Sequence, residues 1–169
     1  MQLNKKIVLV GMMGSGKSTI GYLLSKKLGL KFIDTDHAIE KETGERIANI
    51  FKFKGEDYFR KIEEKITLKI LKSEYCIIAL GGGSFLNTDI RREALSKCIT
   101  IWLNWNNATI LKRISKSKKR PMAFGISNFE MSQMISSRSK IYSLSKFKIN
   151  CEKISKNMKI KKIVTIYER

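Results

Sequence analysis

The sequence predicts an α/β protein, a three-layer αβα sandwich around a five-stranded parallel sheet. Short aliphatic runs recur along it, among them Ile7-Val8-Leu9-Val10 and Cys76-Ile77-Ile78-Ala79-Leu80. Stretches with apolar residues three or four apart separate these runs, the period of a helix with one buried face. Glycine-rich turns follow both of them, at 11–16 and at Gly81-Gly82-Gly83. A strand that is apolar throughout is buried on both sides, which is the condition of a parallel strand between two helical layers.

In chain order, 7–10 is the first strand. Ile20, Leu23, Leu24 and Leu28 stripe the helix after the glycine turn. Gly29 falls where that helix should stop, because glycine accepts the left-handed backbone that ends helices. Phe32-Ile33 is the second strand, and two short helical stretches follow, closed by Gly44 and Gly55. A longer helix carries Phe59, Ile62, Ile66 and Ile70 on one face, and 76–80 is the third strand. Residues 98–103 make the fourth strand and about 107–115 the next helix. The stretch 116–125 begins polar and basic and holds the only proline, Pro121, so it reads as a mobile loop. Ser127 and Glu130 have the S-x-x-E spacing of a capping box and should open a further helix. A fifth strand at 147–151 and a closing helix striped by Ile160, Ile163, Val164 and Tyr167 complete the pattern.

With 169 residues, 43% of them apolar, the chain reads as a single domain with a real core. No apolar run approaches the roughly 20 residues of a membrane span. The opening Met1-Gln2-Leu3-Asn4-Lys5-Lys6 leads into the first strand without a signal-peptide cleavage region. Cys76, Cys98 and Cys151 are odd in number and form no C-x-x-C pair. That argues against a disulfide framework or a cysteine zinc site, and for a reducing cytoplasm. Thirty-four Lys+Arg against fifteen Asp+Glu give a net charge of +19. A polyanion, nucleic acid or an acidic membrane, is one reading of that charge. The lysines are instead dispersed from Lys5 to Lys162, with no block of five like charges. Dispersal of this kind describes solvated faces, not an interaction tail, so neither nucleic acid nor membrane is expected as a partner.

Gly11-Met12-Met13-Gly14-Ser15-Gly16-Lys17-Ser18 fits G-x-x-x-x-G-K-[ST] at every fixed position. It lies after a buried strand and before an amphipathic helix, the context the motif requires. The glycines let backbone N–H groups turn toward phosphate oxygens, and the helix start adds its positive dipole end. Lys17 should reach the β- and γ-phosphates and the Ser18 hydroxyl should ligate Mg²⁺. The ligand class is a nucleoside triphosphate with Mg²⁺, and the D-x-x-G and N-K-x-D elements of a GTPase are missing.

Asp34-Thr35-Asp36 places two carboxylates at the end of the second strand. One can support Mg²⁺ through water while the other accepts a bond from an attacking hydroxyl. Helix capping is the plainer account, and it covers one of the two. Only eight arginines occur among the 34 basic residues, and arginine differs from lysine where a carboxylate or phosphate is held bidentately. Arg60 is one of them, with an ion pair to Glu64 at i+4 as its plain alternative. Three successive glycines at 81–83 are costly in chain entropy and allow a ligand close to the backbone, or make a tight loop.

These residues together resemble the shikimate kinase family of small P-loop kinases. The resemblance is carried by 11–19, Asp34-Thr35-Asp36, Phe59-Arg60-Lys61-Ile62-Glu63-Glu64, Gly81-Gly82-Gly83, Arg120-Pro121, and Arg138 with Tyr142. It spans about 5–151, in the family's order and near its spacing. It implies a P-loop NTPase fold of the nucleoside-monophosphate-kinase type and ATP-dependent phosphorylation of the shikimate 3-hydroxyl. Gly14, Ser15, Gly16, Lys17, Ser18, Thr19, Arg113 and Arg120 would hold ATP, with Ser18 and Asp34 at Mg²⁺. Asp36, Arg60, Gly81, Gly82, Gly83 and Arg138 would bind shikimate, the two arginines gripping its carboxylate. Lys17, Asp36 and the lid residue Arg120 would carry catalysis. One domain, 1–169, would contain a substrate-binding helical segment at about 34–62 and a lid at about 113–126, as a cytoplasmic monomer. Gluconate kinase is the nearest alternative enzyme, and a basic nucleic-acid-binding P-loop protein is an alternative of another class. The sole histidine, His37, reads as a helix-start residue, since one histidine cannot assemble a multi-histidine metal site.

Overall fold

The computed structural model describes residues 5–73, 75–116 and 126–169. Arg120, Pro121 and most of the expected lid lie outside the described residues. Strands β1 (Lys6–Val10), β2 (Lys31–Asp34), β3 (Cys76–Ala79), β4 (Cys98–Asn104) and β5 (Phe147–Asn150) form one sheet in the order β2-β3-β1-β4-β5. Every pairing is parallel, with Ile7 opposite both Ile77 and Ile99. The sandwich expected from the aliphatic runs is therefore the fold observed.

Helices cover both faces because each buries one stripe. α1 (Lys17–Leu28) and α7 (Lys156–Tyr167) lie on one side, where Ile20, Leu24, Ile163 and Tyr167 pack on Ile7, Leu9 and Ile101. On the other side are α3 (Ile47–Leu71), α4 (Thr88–Lys97), α5 (Asn107–Ser115) and α6 (Asn128–Tyr142). Their Leu71, Ile90, Ile110, Met131 and Tyr142 meet Val8, Ile78 and Trp102. α2 (Thr35–Thr43) and α3 enclose a small core of their own from Ile39, Ile50, Phe59 and Ile66.

Local signals set the boundaries. Gly29 ends α1 and Gly44 ends α2, both in left-handed backbone. Gly55 is non-helical, with φ 82° and ψ 172°, and divides α3 at a kink into a short helix that closes there, as expected, and the longer helix carrying Phe59 and Ile66. The capping box opens α6, Ser127 Oγ accepting from the Glu130 N–H while Glu130 accepts from the Ser127 N–H. The sequence reading assigns nothing to 84–97, where the structure has a 3-10 turn (Ser84–Leu86) and α4. α4 buries only Ile90 and Ala94, too short a stripe to show periodicity. Its start signal was Asn87, whose side chain caps Asp89 and Ile90.

β1, β2 and β3 end on the same side of the sheet, and β1 lies between β3 and β4. The chain leaves β1 for one face and returns by the other, and ligands of such sheets bind in the crevice this reversal opens.

Candidate active site

The glycine turn after β1 leads into α1 at Lys17, and Gly16 ahead of it has φ 92°. A side chain there would strain the backbone, and the space beyond its Cα is open. Gly16 also lines the cleft, so its backbone can face a ligand. Lys17 reaches back over the turn, its ammonium donating to the carbonyls of Gly11 (2.7 Å) and Met12 (3.0 Å). Ser15 differs from its neighbours. Its side chain is buried and its N–H donates to the Met12 carbonyl, so it shapes the loop from within.

The two carboxylates at the junction of β2 and α2 have different surroundings. Asp34 caps α2, one oxygen accepting from the N–H groups of Asp36 and His37. Its other oxygen accepts from the Ser18 hydroxyl at 2.5 Å. Capping thus accounts for one oxygen only. Ser18 and Asp34 form a pair of hard oxygen donors beside the phosphate loop, a donor set that suits Mg²⁺ with water completing its shell. His37 starts α2, as expected. Among the described residues no group of three His, Cys, Asp or Glu side chains could hold a metal ion.

Asp36 remains open to solvent yet stands in a concave site with less water than a flat surface offers. This desolvation, with the charge of Asp34, raises its pKa to about 6 against the opposing pull of Lys17. A carboxyl so tuned is a better proton acceptor than an ordinary aspartate.

Arg60 does not pair with Glu64. Its Nη1 donates to Glu63 at 2.7 Å, and Nε and Nη2 donate to Glu56. Glu64 instead accepts from Asn87. One step along a helix turns a side chain by about 100°, which carries Glu63 inward and Glu64 aside. Glu63 is 3% exposed and also accepts from Ser84 at 2.6 Å. The sequence reading missed it as a site residue; its i+3 spacing from Arg60 was the available signal.

Gly81 and Gly83 leave room for site side chains, and Gly82 for the backbone of the phosphate loop. A Cβ on Gly81 would lie 2.5 Å from an Asp36 oxygen and 2.8 Å from Ser84 Oγ. One on Gly83 would lie 2.6 Å from Arg60 Nη1. One on Gly82 would press on the backbone of Met13 at 3.3 Å and stand 3.9 Å from Arg138 Nη1. Close approach, and not a special backbone angle, demands glycine here. The Tyr142 hydroxyl donates to the Gly82 carbonyl, and burial pushes its pKa up to about 12, so it stays a donor.

Asp36, Arg60 and Arg138 line one cleft of about 1040 Å³, together with Gly82 and Gly83. Gly14, Gly16, Lys17, Ser18, Thr19 and Asp34 line its other part. Ser15 and Gly81 stand behind the wall. Arg113 lies outside the cleft, its Nη1 donating to the Gly14 carbonyl at 3.2 Å from behind the loop. The glycine turn with Lys17 and the two arginines thus share one opening.

A sequence model of the shikimate kinase family matches residues 13–168. The chain belongs to the shikimate kinase family. The shikimate kinase of Persephonella marina is 37% identical over 148 residues, 88% of this chain and 90% of its own. That of a Sulfurihydrogenibium species is 34% identical over 98% of this chain and 99% of its own. The structure of the Acinetobacter baumannii shikimate kinase in complex with shikimate overlays with a TM-score of 0.87. It is 28% identical and covers 98% of this chain and 93% of that one. The match to the family thus extends past 151, where the motif resemblance stops, through α7. No helix among the described residues is long and apolar enough to cross a membrane.

Proposed function

We propose that the chain transfers the γ-phosphoryl group of ATP to the 3-hydroxyl of shikimate, with the residue roles that follow. The observation that carries these roles is the convergence of Asp36, Arg60 and Arg138 on one cleft with the phosphate loop. Arg60 and Arg138 hold the substrate carboxylate. Arg60 keeps Glu63 as its buried anchor and exchanges the exposed Glu56 for the ligand, because a guanidinium holds a planar carboxylate with two parallel bonds. Asp36 accepts the hydrogen of the attacking hydroxyl. As the new oxygen–phosphorus bond forms, the bond to the β-phosphate oxygen breaks and ADP leaves. Lys17 and the loop N–H groups stabilise charge on the transferring group, and Arg120 would add a further positive charge. Ser18 and Asp34 would hold Mg²⁺, which would supply positive charge to offset the negative charge of the phosphates.

A coupled ADP-release assay with shikimate and gluconate as acceptors tests the reading. Turnover stimulated by shikimate and not by gluconate is expected, because gluconate is a flexible open chain in place of a ring acid; turnover with gluconate alone would overturn it.

Asp36 also predicts a pH dependence. Below its pKa of about 6 it is a neutral acid and loses an acceptor site. Shikimate affinity for the nucleotide-free protein should therefore weaken as pH falls through about 6. Calorimetry from about pH 5 to 8 measures this, with Asp36→Asn as the flat, weaker control. A constant affinity in the parent protein removes Asp36 as the acceptor.

A further inference from the structure

We propose that Trp105 is a positioning residue for the nucleotide, orienting the phosphate loop from behind; the inference rests on the loop being the nucleotide site. Trp105 follows β4 and its indole N–H donates to the Ser15 carbonyl at 2.9 Å. The Arg113 guanidinium carbon lies 3.6 Å from its ring centroid and the Lys159 ammonium 4.3 Å from it. Arg113 also holds the Gly14 carbonyl, and Lys159, only 6% exposed, donates to the Ile154 carbonyl. Among the described residues neither cation makes an ion pair with a carboxylate. The electron-rich ring face therefore replaces the missing anion for both. One side chain joins the loop, the end of β4, α5 and α7.

The consequence for the loop follows from peptide geometry. A trans peptide is planar, so its carbonyl and the next N–H point in opposite directions. Trp105 grasps the Ser15 carbonyl at the back of the loop, which turns the Gly16 N–H toward the front. Gly16 lines the cleft, and a phosphate oxygen held there would meet that N–H. Trp105 fixes that donor before the nucleotide arrives, so less ordering is left to binding.

Two variants separate the parts. Trp105→Phe keeps a ring face for the cations but removes the N–H; Trp105→Leu removes both. Calorimetric titration with ADP should show affinity about 3- to 10-fold weaker in Trp105→Phe, the loss of one hydrogen bond. The loss should be larger in Trp105→Leu, while shikimate affinity stays within about twofold in both. ADP affinity within about twofold of the parent in Trp105→Phe overturns the proposal. An equal fall in ADP and shikimate affinity also overturns it, since that marks general loosening. If Trp105→Leu does not fold, Trp105→Phe decides alone. A parent protein that binds ADP but not shikimate refutes the proposed acceptor and leaves the ADP comparison intact.

Discussion

Lys17→Ala abolishes phosphoryl transfer, with kcat lowered at least about 10³-fold, the scale of losing a preorganised charge at a reacting group. The transition state of this chemistry spreads negative charge over the transferring group, and a fixed cation nearby costs no reorganisation at the moment of reaction. Lys17 is well placed for that task. It is the first residue of α1, so its position is set by the helix start, and its ammonium already lies over the loop on the Gly11 and Met12 carbonyls. Loss of those two bonds loosens the loop slightly, so thermal melting must accompany the kinetics. The expected pair of results is a folded protein and no shikimate-dependent ADP release. Retained turnover within about tenfold of the parent would remove Lys17 from the chemistry.

Arg60→Lys and Gly83→Ala produce the same defect by different routes. Lysine keeps the charge at 60 but not the planar fork that meets a carboxylate with two bonds. Alanine at 83 leaves Arg60 chemically intact and pushes on it, because the new Cβ lies 2.6 Å from Nη1 and 3.1 Å from Cζ. The Gly83 backbone, φ −98° and ψ −18°, suits any residue, and the group that must yield is the end of a flexible side chain. Stability should therefore change little, while shikimate KM rises in both variants by roughly 10-fold or more, the worth of one charge-assisted bond. The KM for ATP should hold within about twofold. Steady-state kinetics in the two substrates decides the matter. An unchanged shikimate KM in both variants removes Arg60 from the carboxylate grip.

Much of this was legible along the chain because it is encoded locally. The aliphatic runs, the helical stripes, the glycine stops and the capping box each depend on residues a few positions apart. So does the phosphate loop, whose glycines, Lys17 and Ser18 occupy consecutive positions between a strand and a helix. α4 escaped because it buries two residues and has almost no period to read. The role expected of Arg60 rested on its being an arginine in a family pattern; the plain alternative, an i+4 pair with Glu64, does not form, and Glu63 at i+3 is its buried partner.

The linear order of residues thus settles the layer architecture, the glycine turn between β1 and α1 and the residue types that meet around it. It does not settle which atoms touch. Strand order and register brought the end of β3 beside the phosphate loop, and only there do three glycines become three vacated Cβ positions, for Asp36, the Met13 backbone and Arg60. Helix rotation, fixed by the small core between α2 and α3, turned Glu63 inward and Glu64 away. Trp105 met Ser15 across 90 residues of chain. Periodicity and backbone preference act over one or two turns, whereas a side chain's partners depend on packing between segments that the chain order leaves far apart.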